Sequence, residues 1–337
     1  MLLLSWIGIF IISLAVLVKA ADVFTESSEK IGLAFKIPSF IVGIAIVSIG
    51  TSLPELVTSL IAVSKNETEI VAANAIGSNI ANIFLVIGFS AIVARKMSIK
   101  RSLINLDLPL LACVTTLLIF ILWDKQITFV EGIIAILTYI IYSFYLISSG
   151  KERKILSHKN ANDKSNNHLP ATRIDRLKIL KRLWKRHEKL EKGVFPTLLL
   201  SAIFLYLGAN YTIESIIHIA DSLNIAPPII AMSAMAIGTS LPELVVSVRA
   251  SMKRKYEIAL GNIFGSNIFN ALVVIGIPAL FTTLKVDEIT FSVGLPFLIG
   301  ATVLYLISGI SRKIYNWEGM MYLMIYVLFL VKIFGIV

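Results

Sequence analysis

The stretch SIGTSLPELVTS (48–59) lies inside an apolar run, and AIGTSLPELVVS (236–247) repeats it 188 residues later. Each places a glutamate directly after a proline, with threonine and serine just upstream. The likeness continues on either side. Residues 49–88 and 237–276 align without gaps, with about 23 of 40 positions identical, which marks an internal duplication. A second pair of polar motifs, GSNIAN (77–82) and GSNIFN (265–270), falls within it.

The background that makes these motifs unusual is the composition. Of 337 residues, 57% are hydrophobic and only 15% charged, and the mean hydropathy is +0.85. A soluble domain carries more charge than this. Runs of roughly 20 apolar residues read as transmembrane helices. Ten such spans are expected, near 2–24, 38–64, 70–94, 103–123, 128–148, 194–218, 226–250, 258–282, 289–308 and 317–336. The fold class is therefore an all-α polytopic membrane protein. The N-terminal run lacks a basic leader and is long for a signal peptide, so it is read as a retained first helix. The only cysteine, Cys113, excludes an intramolecular disulfide.

Loop charge tests the span count. The odd loops carry Lys19, Lys30 and Lys36, then Arg95, Lys96, Lys100 and Arg101, the long segment 151–192, Arg249, Lys253, Arg254 and Lys255, and Arg312 and Lys313. The even loops carry Lys65, Lys125, none and Lys285. By the positive-inside rule the odd loops face the cytoplasm and both termini lie outside. The net charge of +10 is thus a topological signal and does not call for nucleic acid. Each half, 1–150 and 193–337, holds five spans around its repeat (48–88 and 236–276). An odd number inverts the second half relative to the first, an arrangement that places transporter sites at the midplane where the repeats meet.

Between the halves, residues 151–192 form a basic linker. Its Asn/Lys/Ser-rich part, to about Pro170, is expected to be disordered. From Ala171, apolar residues at helical spacing predict a basic amphipathic helix. Such a helix suits either a solvated cytoplasmic linker or contact with anionic lipid.

The motif chemistry follows from cost. A carboxylate at membrane depth is unfavourable by about 2.5–3.5 kcal/mol on insertion scales, so Glu55 and Glu243 are site candidates. Pro54 and Pro242 remove backbone hydrogen bonds and free carbonyls, tolerated at that depth only where they are enclosed or line a cavity. Ser48, Thr51 and Glu55 share one helical face, as do Ala236, Thr239 and Glu243. Asn74, Ser78 and Asn82 form a polar stripe that Asn262, Ser266 and Asn270 repeat. Every group is an oxygen donor, with no His or Cys, which suits Ca²⁺ or Na⁺ rather than zinc or copper. Two carboxylates balance one Ca²⁺ or two Na⁺, and competition for that charge is a basis for exchange.

At GTSLPE with GSNIAN, and GTSLPE with GSNIFN, the chain resembles the sodium/calcium exchanger branch of the cation/Ca²⁺ exchanger superfamily. The resemblance covers essentially the whole chain. It implies an antiporter that extrudes Ca²⁺ using the Na⁺ gradient, with four clustered sites; a monomer without cofactor is expected, and the compact central loop and lack of an organellar presequence lean toward the plasma membrane. The implied ligands are Glu55, Glu243, Thr51, Ser52, Thr239, Ser240, Ser78, Ser266, Asn82 and Asn270, with the carbonyls of Ser48 and Ala236. Many prokaryotic and K⁺-dependent relatives carry Asp where this chain has Asn270, so the resemblance implies K⁺-independent transport and leaves stoichiometry open. H⁺/Ca²⁺ antiport and a cation channel are the alternatives. An esterase-like reading of GTSLP fails for want of a nearby histidine.

Overall fold

A computed structural model describes residues 2–35, 37, 39–64, 66–98, 101–163, 193–222, 238 and 240–334. They form eleven helices: α1 (Leu2–Ala34), α2 (39–51), α3 (Leu53–Ser64), α4 (Glu69–Ala94), α5 (Arg101–Ile121), α6 (Phe129–Asp163), α7 (Val194–Ser222), α8 (Leu241–Met252), α9 (Tyr256–Ala279), α10 (Thr290–Ser311) and α11 (Asn316–Ile333). Six of these are long and apolar enough to cross a bilayer, and the bent pair α2–α3 would make a seventh. The apolar parts of α5 and α7, Leu108–Ile121 and Val194–Gly208, are shorter. The expected span 226–250 lies partly outside the described residues.

Two boundaries differ from the sequence reading. α1 continues ten residues past 24, because Glu26, Glu29 and Lys30 favour a helix and no proline intervenes before Pro38. α6 runs through Asp163, into the linker that composition marks as disordered. After Gly150 the chain reads KERKILSHKNAND, rich in good helix formers and free of glycine and proline, so nothing stops the helix. The expected amphipathic helix from Ala171 lies outside the described residues.

Two short two-stranded ladders test the sidedness. β1 (Lys96–Ser98) pairs antiparallel with β4 (Lys313–Tyr315), and β2 (Gln126–Ile127) with β3 (Leu284–Lys285). The first joins two odd loops and the second two even loops. Lys125 also meets Glu288 at 2.5 Å within the even set. On the odd side, Asp22 and Glu26 near the end of α1 hold Arg249 and Lys253, with Arg249 Nε donating to Asp22 at 3.0 Å and Lys253 Nζ to Glu26 at 2.9 Å. Loops of like parity thus gather on one face, as alternating spans require.

α4 and α9 form the centre, and every residue from Ile258 to Phe269 is buried. Close approach relies on glycine. A Cβ on Gly265 would lie 2.8 Å from the Ile44 carbonyl, and one on Gly43 would lie 2.7 Å from the Ile258 carbonyl. These contacts press α2 onto α9, backbone against backbone, so neither can yield by a rotamer change. Gly265→Ala is expected to cost about 1–3 kcal/mol through overpacking, read as a lower thermal midpoint of the purified protein. Gly77→Ala, where a Cβ meets nothing within 4 Å among the described residues, is the expected neutral control.

Candidate ion-binding site

The helix breaks beside the two glutamates set the site. Ser52 ends the α2 turn at φ −91° and ψ 5°, and Ser240 adopts φ −87° and ψ 5° before α8. Across Ser52 the chain bends by 43°. The break falls two residues before Pro54, on the side where the proline removes a backbone hydrogen bond. Pro54 sits in the first turn of α3, where its missing N–H costs little and its fixed φ favours the helix. It still has no N–H to offer the Gly50 carbonyl. Glu55 and Glu243 therefore occupy the first turns of α3 and α8, where the positive end of the helix dipole favours a negative charge.

Both glutamates are fully buried, as are Ser48, Thr51, Ser52, Ser78, Asn82, Ser240, Ser266 and Asn270. The two motifs meet directly. Ser52 Oγ donates to Glu243 Oε1 at 2.8 Å, and Ser266 Oγ donates to the same oxygen at 3.3 Å. Thr51 Oγ1 donates toward Asn262 Oδ1 at 3.1 Å and the Ser48 carbonyl at 3.2 Å. That carbonyl also accepts the Ser52 N–H at 2.9 Å, so it must release the threonine hydroxyl to face an ion. Ala236 and Thr239 lie outside the described residues.

The repeated stripe divides by role. Asn82 and Asn270 each begin a π-helical turn, 82–86 and 270–274, a distortion often found at functional sites. Asn74 and Asn262 act as braces. Asn74 Nδ2 reaches the Glu55 carbonyl and Ser59 Oγ, both at 3.2 Å. Asn262 Nδ2 reaches Ser247 Oγ at 2.9 Å and the Glu243 carbonyl at 3.5 Å. Two further pairs escaped the sequence reading: Ser59 with Ser247, and Asn79 with Asn267. Both pairs are identical across the repeat; Ser59 and Ser247 continue the face of Glu55 and Glu243 at i+4, whereas Asn79 and Asn267 lie off the polar stripe.

Several polar atoms have no hydrogen-bond partner among the described residues. They include both oxygens of Glu55, Glu243 Oε2, Ser240 Oγ and the amide atoms of Asn82 and Asn270. Native proteins rarely leave such atoms unpaired. Here they belong to the groups whose oxygens suit a hard cation, for which Ca²⁺ takes six to eight oxygen ligands. No group of three or more His, Cys, Asp or Glu occurs among the described residues, so the donor set is mixed carboxylate, hydroxyl and amide. A separate cavity of about 310 Å³ flanks α4 at Ile70, Ala73, Asn74 and Gly77. These are the repeat equivalents of the α9 positions near 258–265 that receive α2.

The family described as sodium/calcium exchanger protein matches residues 5–148 and 194–335, one block in each half. The chain belongs to the sodium/calcium exchanger family. It is 30% identical to the sodium/calcium exchanger MaX1 of Methanosarcina acetivorans, over 97% of this chain and 98% of that one. It is 28% identical to the inner membrane protein YrbG of Escherichia coli, over 85% of this chain and 82% of that one. Its fold matches the sodium-calcium exchanger NCX_Mj, solved after soaking with Na⁺ and Sr²⁺, with a TM-score of 0.76 at 26% identity over 97% of each chain. This exchanger is thus a multi-pass membrane protein and a cation/Ca²⁺ antiporter of the Na⁺/Ca²⁺-exchanger type, not an enzyme.

The braces make a direct prediction. Asn74→Ala and Asn262→Ala each remove the hydrogen bond to a glutamate carbonyl together with one to the serine four residues on, and each is expected to weaken Ca²⁺ binding about tenfold. Titration of the purified protein with Ca²⁺ checks this. Unchanged affinity in both variants would contradict the bracing role.

Proposed function

We propose that this exchanger couples Na⁺ entry to Ca²⁺ exit by alternating access, without K⁺. The observation that carries the reading is the pair of fully buried glutamates with three of four carboxylate oxygens unpartnered. Ionised, the pair carries charge −2 out of reach of solvent, and desolvation costs several kcal/mol per ion even after relaxation. Bound cations offset that cost. One Ca²⁺ does so alone, and Na⁺ does so in multiples. Each species removes the electrostatic reason for the other to bind, so the site exchanges them.

In this reading Glu55 and Glu243 supply the charge. Thr51, Ser52, Thr239, Ser240, Ser78 and Ser266 complete the shell with hydroxyls, Asn82 and Asn270 with amide oxygens, and Ser48 and Ala236 with carbonyls. A loaded site is near neutral and crosses the barrier between states, whereas an empty one retains its uncompensated charge and does not. That difference enforces coupling. The two Asn side chains add no charge where a third carboxylate would raise the positive charge the site holds, which is the argument against K⁺. The halves 1–150 and 193–337 each supply one wall. The protein acts as a monomer in the plasma membrane, with its termini outside and the basic segment 151–192 cytoplasmic against anionic lipid.

Protonation of the same carboxylates would also neutralise the site, which keeps H⁺/Ca²⁺ antiport as the second reading. Proteoliposomes separate the two. An imposed Na⁺ gradient is expected to drive Ca²⁺ uptake with or without K⁺, and a pH gradient alone is not. Glu55→Gln or Glu243→Gln is expected to lower the flux at least about 100-fold. Uptake driven equally by a pH gradient, lost without K⁺, or unchanged in the Gln variants would contradict the proposal.

Orientation has its own test. Single cysteines on a Cys113→Ser background at Asp124 and at Lys313 are expected to react with an impermeant thiol reagent from outside and inside the cell, respectively. The reverse pattern would overturn the assignment of faces.

A further inference from the structure

The two repeats are equivalent in sequence, yet among the described residues the three side-chain hydrogen bonds that join segment 48–88 to segment 236–276 all run from the first to the second. Asn79 Nδ2, in the first half, donates to the Asn267 carbonyl at 3.0 Å. Ser52, in the first half, donates to Glu243, and Thr51 to Asn262. Two of the three reciprocal donors, Asn267 and Ser240, lie among the described residues, and the third, Thr239, lies outside them. Neither Asn267 Nδ2 nor Ser240 Oγ has a hydrogen-bond partner among the described residues. Asn79 and Asn267 are 3% and 1% exposed, so water does not satisfy them from bulk. An unpaired buried amide costs about 1–3 kcal/mol, and it persists only where the surroundings impose it.

The acceptor side is prepared in both halves. The Asn82 N–H is shared between the Asn79 and Ser78 carbonyls, and the Asn270 N–H between the Asn267 and Ser266 carbonyls. Each π turn thus begins where the helical ladder loosens, and the carbonyls of Asn79 and Asn267 keep capacity for an incoming amide. Both halves present the same donor and the same acceptor at the crossing of α4 and α9, yet only one of the two possible bonds forms.

We propose that Asn79 and Asn267 are positioning residues that form a reciprocal switch. In the conformation described here Asn79 donates to the Asn267 carbonyl. In the opposite-facing conformation, Asn267 donates to the Asn79 carbonyl. The reason is symmetry. Where two inverted repeats exchange roles, the second state repeats the contacts of the first with the halves interchanged. A bond that breaks the symmetry in one state is replaced by its mirror in the other, so each amide stabilises one state only. The inference rests on the antiport reading only in requiring two alternating states.

The test compares Asn79→Ala with Asn267→Ala in the full-length protein in lipid nanodiscs, by hydrogen–deuterium exchange at the two membrane faces. Removing Asn79 destabilises the state described here, and removing Asn267 destabilises its opposite. Exchange at the odd-loop and even-loop faces is therefore expected to shift by about 5-fold in opposite senses in the two variants. The double variant is expected to return near wild type. Simple loss of packing would loosen both faces alike in both variants, and that result, or no shift in either, overturns the switch. If an alanine variant does not fold, Asn79→Ser and Asn267→Ser, whose hydroxyls are too short to span the gap, carry the same expectation. The readout needs no ion gradient, so a wild type lacking Na⁺-driven Ca²⁺ flux would count against the proposed function while leaving this test intact.

Discussion

Two carboxylates enclosed where two inverted repeats cross are the constraint on which the rest of the structure depends. Glu55 and Glu243 are both inaccessible to solvent, and burying a pair of like charges is tolerable only with compensation. The fold supplies part of it. Each glutamate lies in the first turn of a helix, and Glu243 receives two hydroxyl donors. The remaining oxygens have no donor among the described residues, and in the proposed function a bound cation completes the compensation. A site left short of positive charge in this way suits a cation, which is the basis of the proposed exchange.

The packing around it serves to bring backbone close to backbone. Gly43 and Gly265 let α2 lie against α9 at distances that a methyl group would prevent. Asn74 and Asn262 then tie α3 to α4 and α8 to α9, using the same atoms at the same spacing in each half. The scaffold is symmetric and the hydrogen bonds across it are not. That combination gives a rigid pair of walls around a centre with two nearly equivalent arrangements.

Much of this was legible from residues alone. The repeat, the apolar spans, the alternation of loop charge and the two glutamates all follow from patterns that sequence displays directly. Three features did not. The exact break at Ser52 is not marked by residue type, because proline's effect is felt upstream of it and its own position is a good first turn. The helix through Asp163 was missed because composition reports solubility and not the absence of a stop signal. The π turns at Asn82 and Asn270 leave no trace in hydropathy, since one extra residue per turn changes no residue type. Asn79 and Asn267 were visible only as identities across the repeat. Their importance depends on a crossing of helices that the linear chain does not show.

The central claim is that Na⁺ and Ca²⁺ compete for one site whose charge comes from Glu55 and Glu243. Calorimetric titration of the purified protein with Ca²⁺ at a series of Na⁺ concentrations tests it most directly. The account predicts that the apparent Kd for Ca²⁺ rises with a power of Na⁺ concentration greater than one, and that the Glu55→Gln/Glu243→Gln double variant binds neither ion measurably. Ca²⁺ binding that is indifferent to Na⁺, or that survives in the double variant, would contradict it.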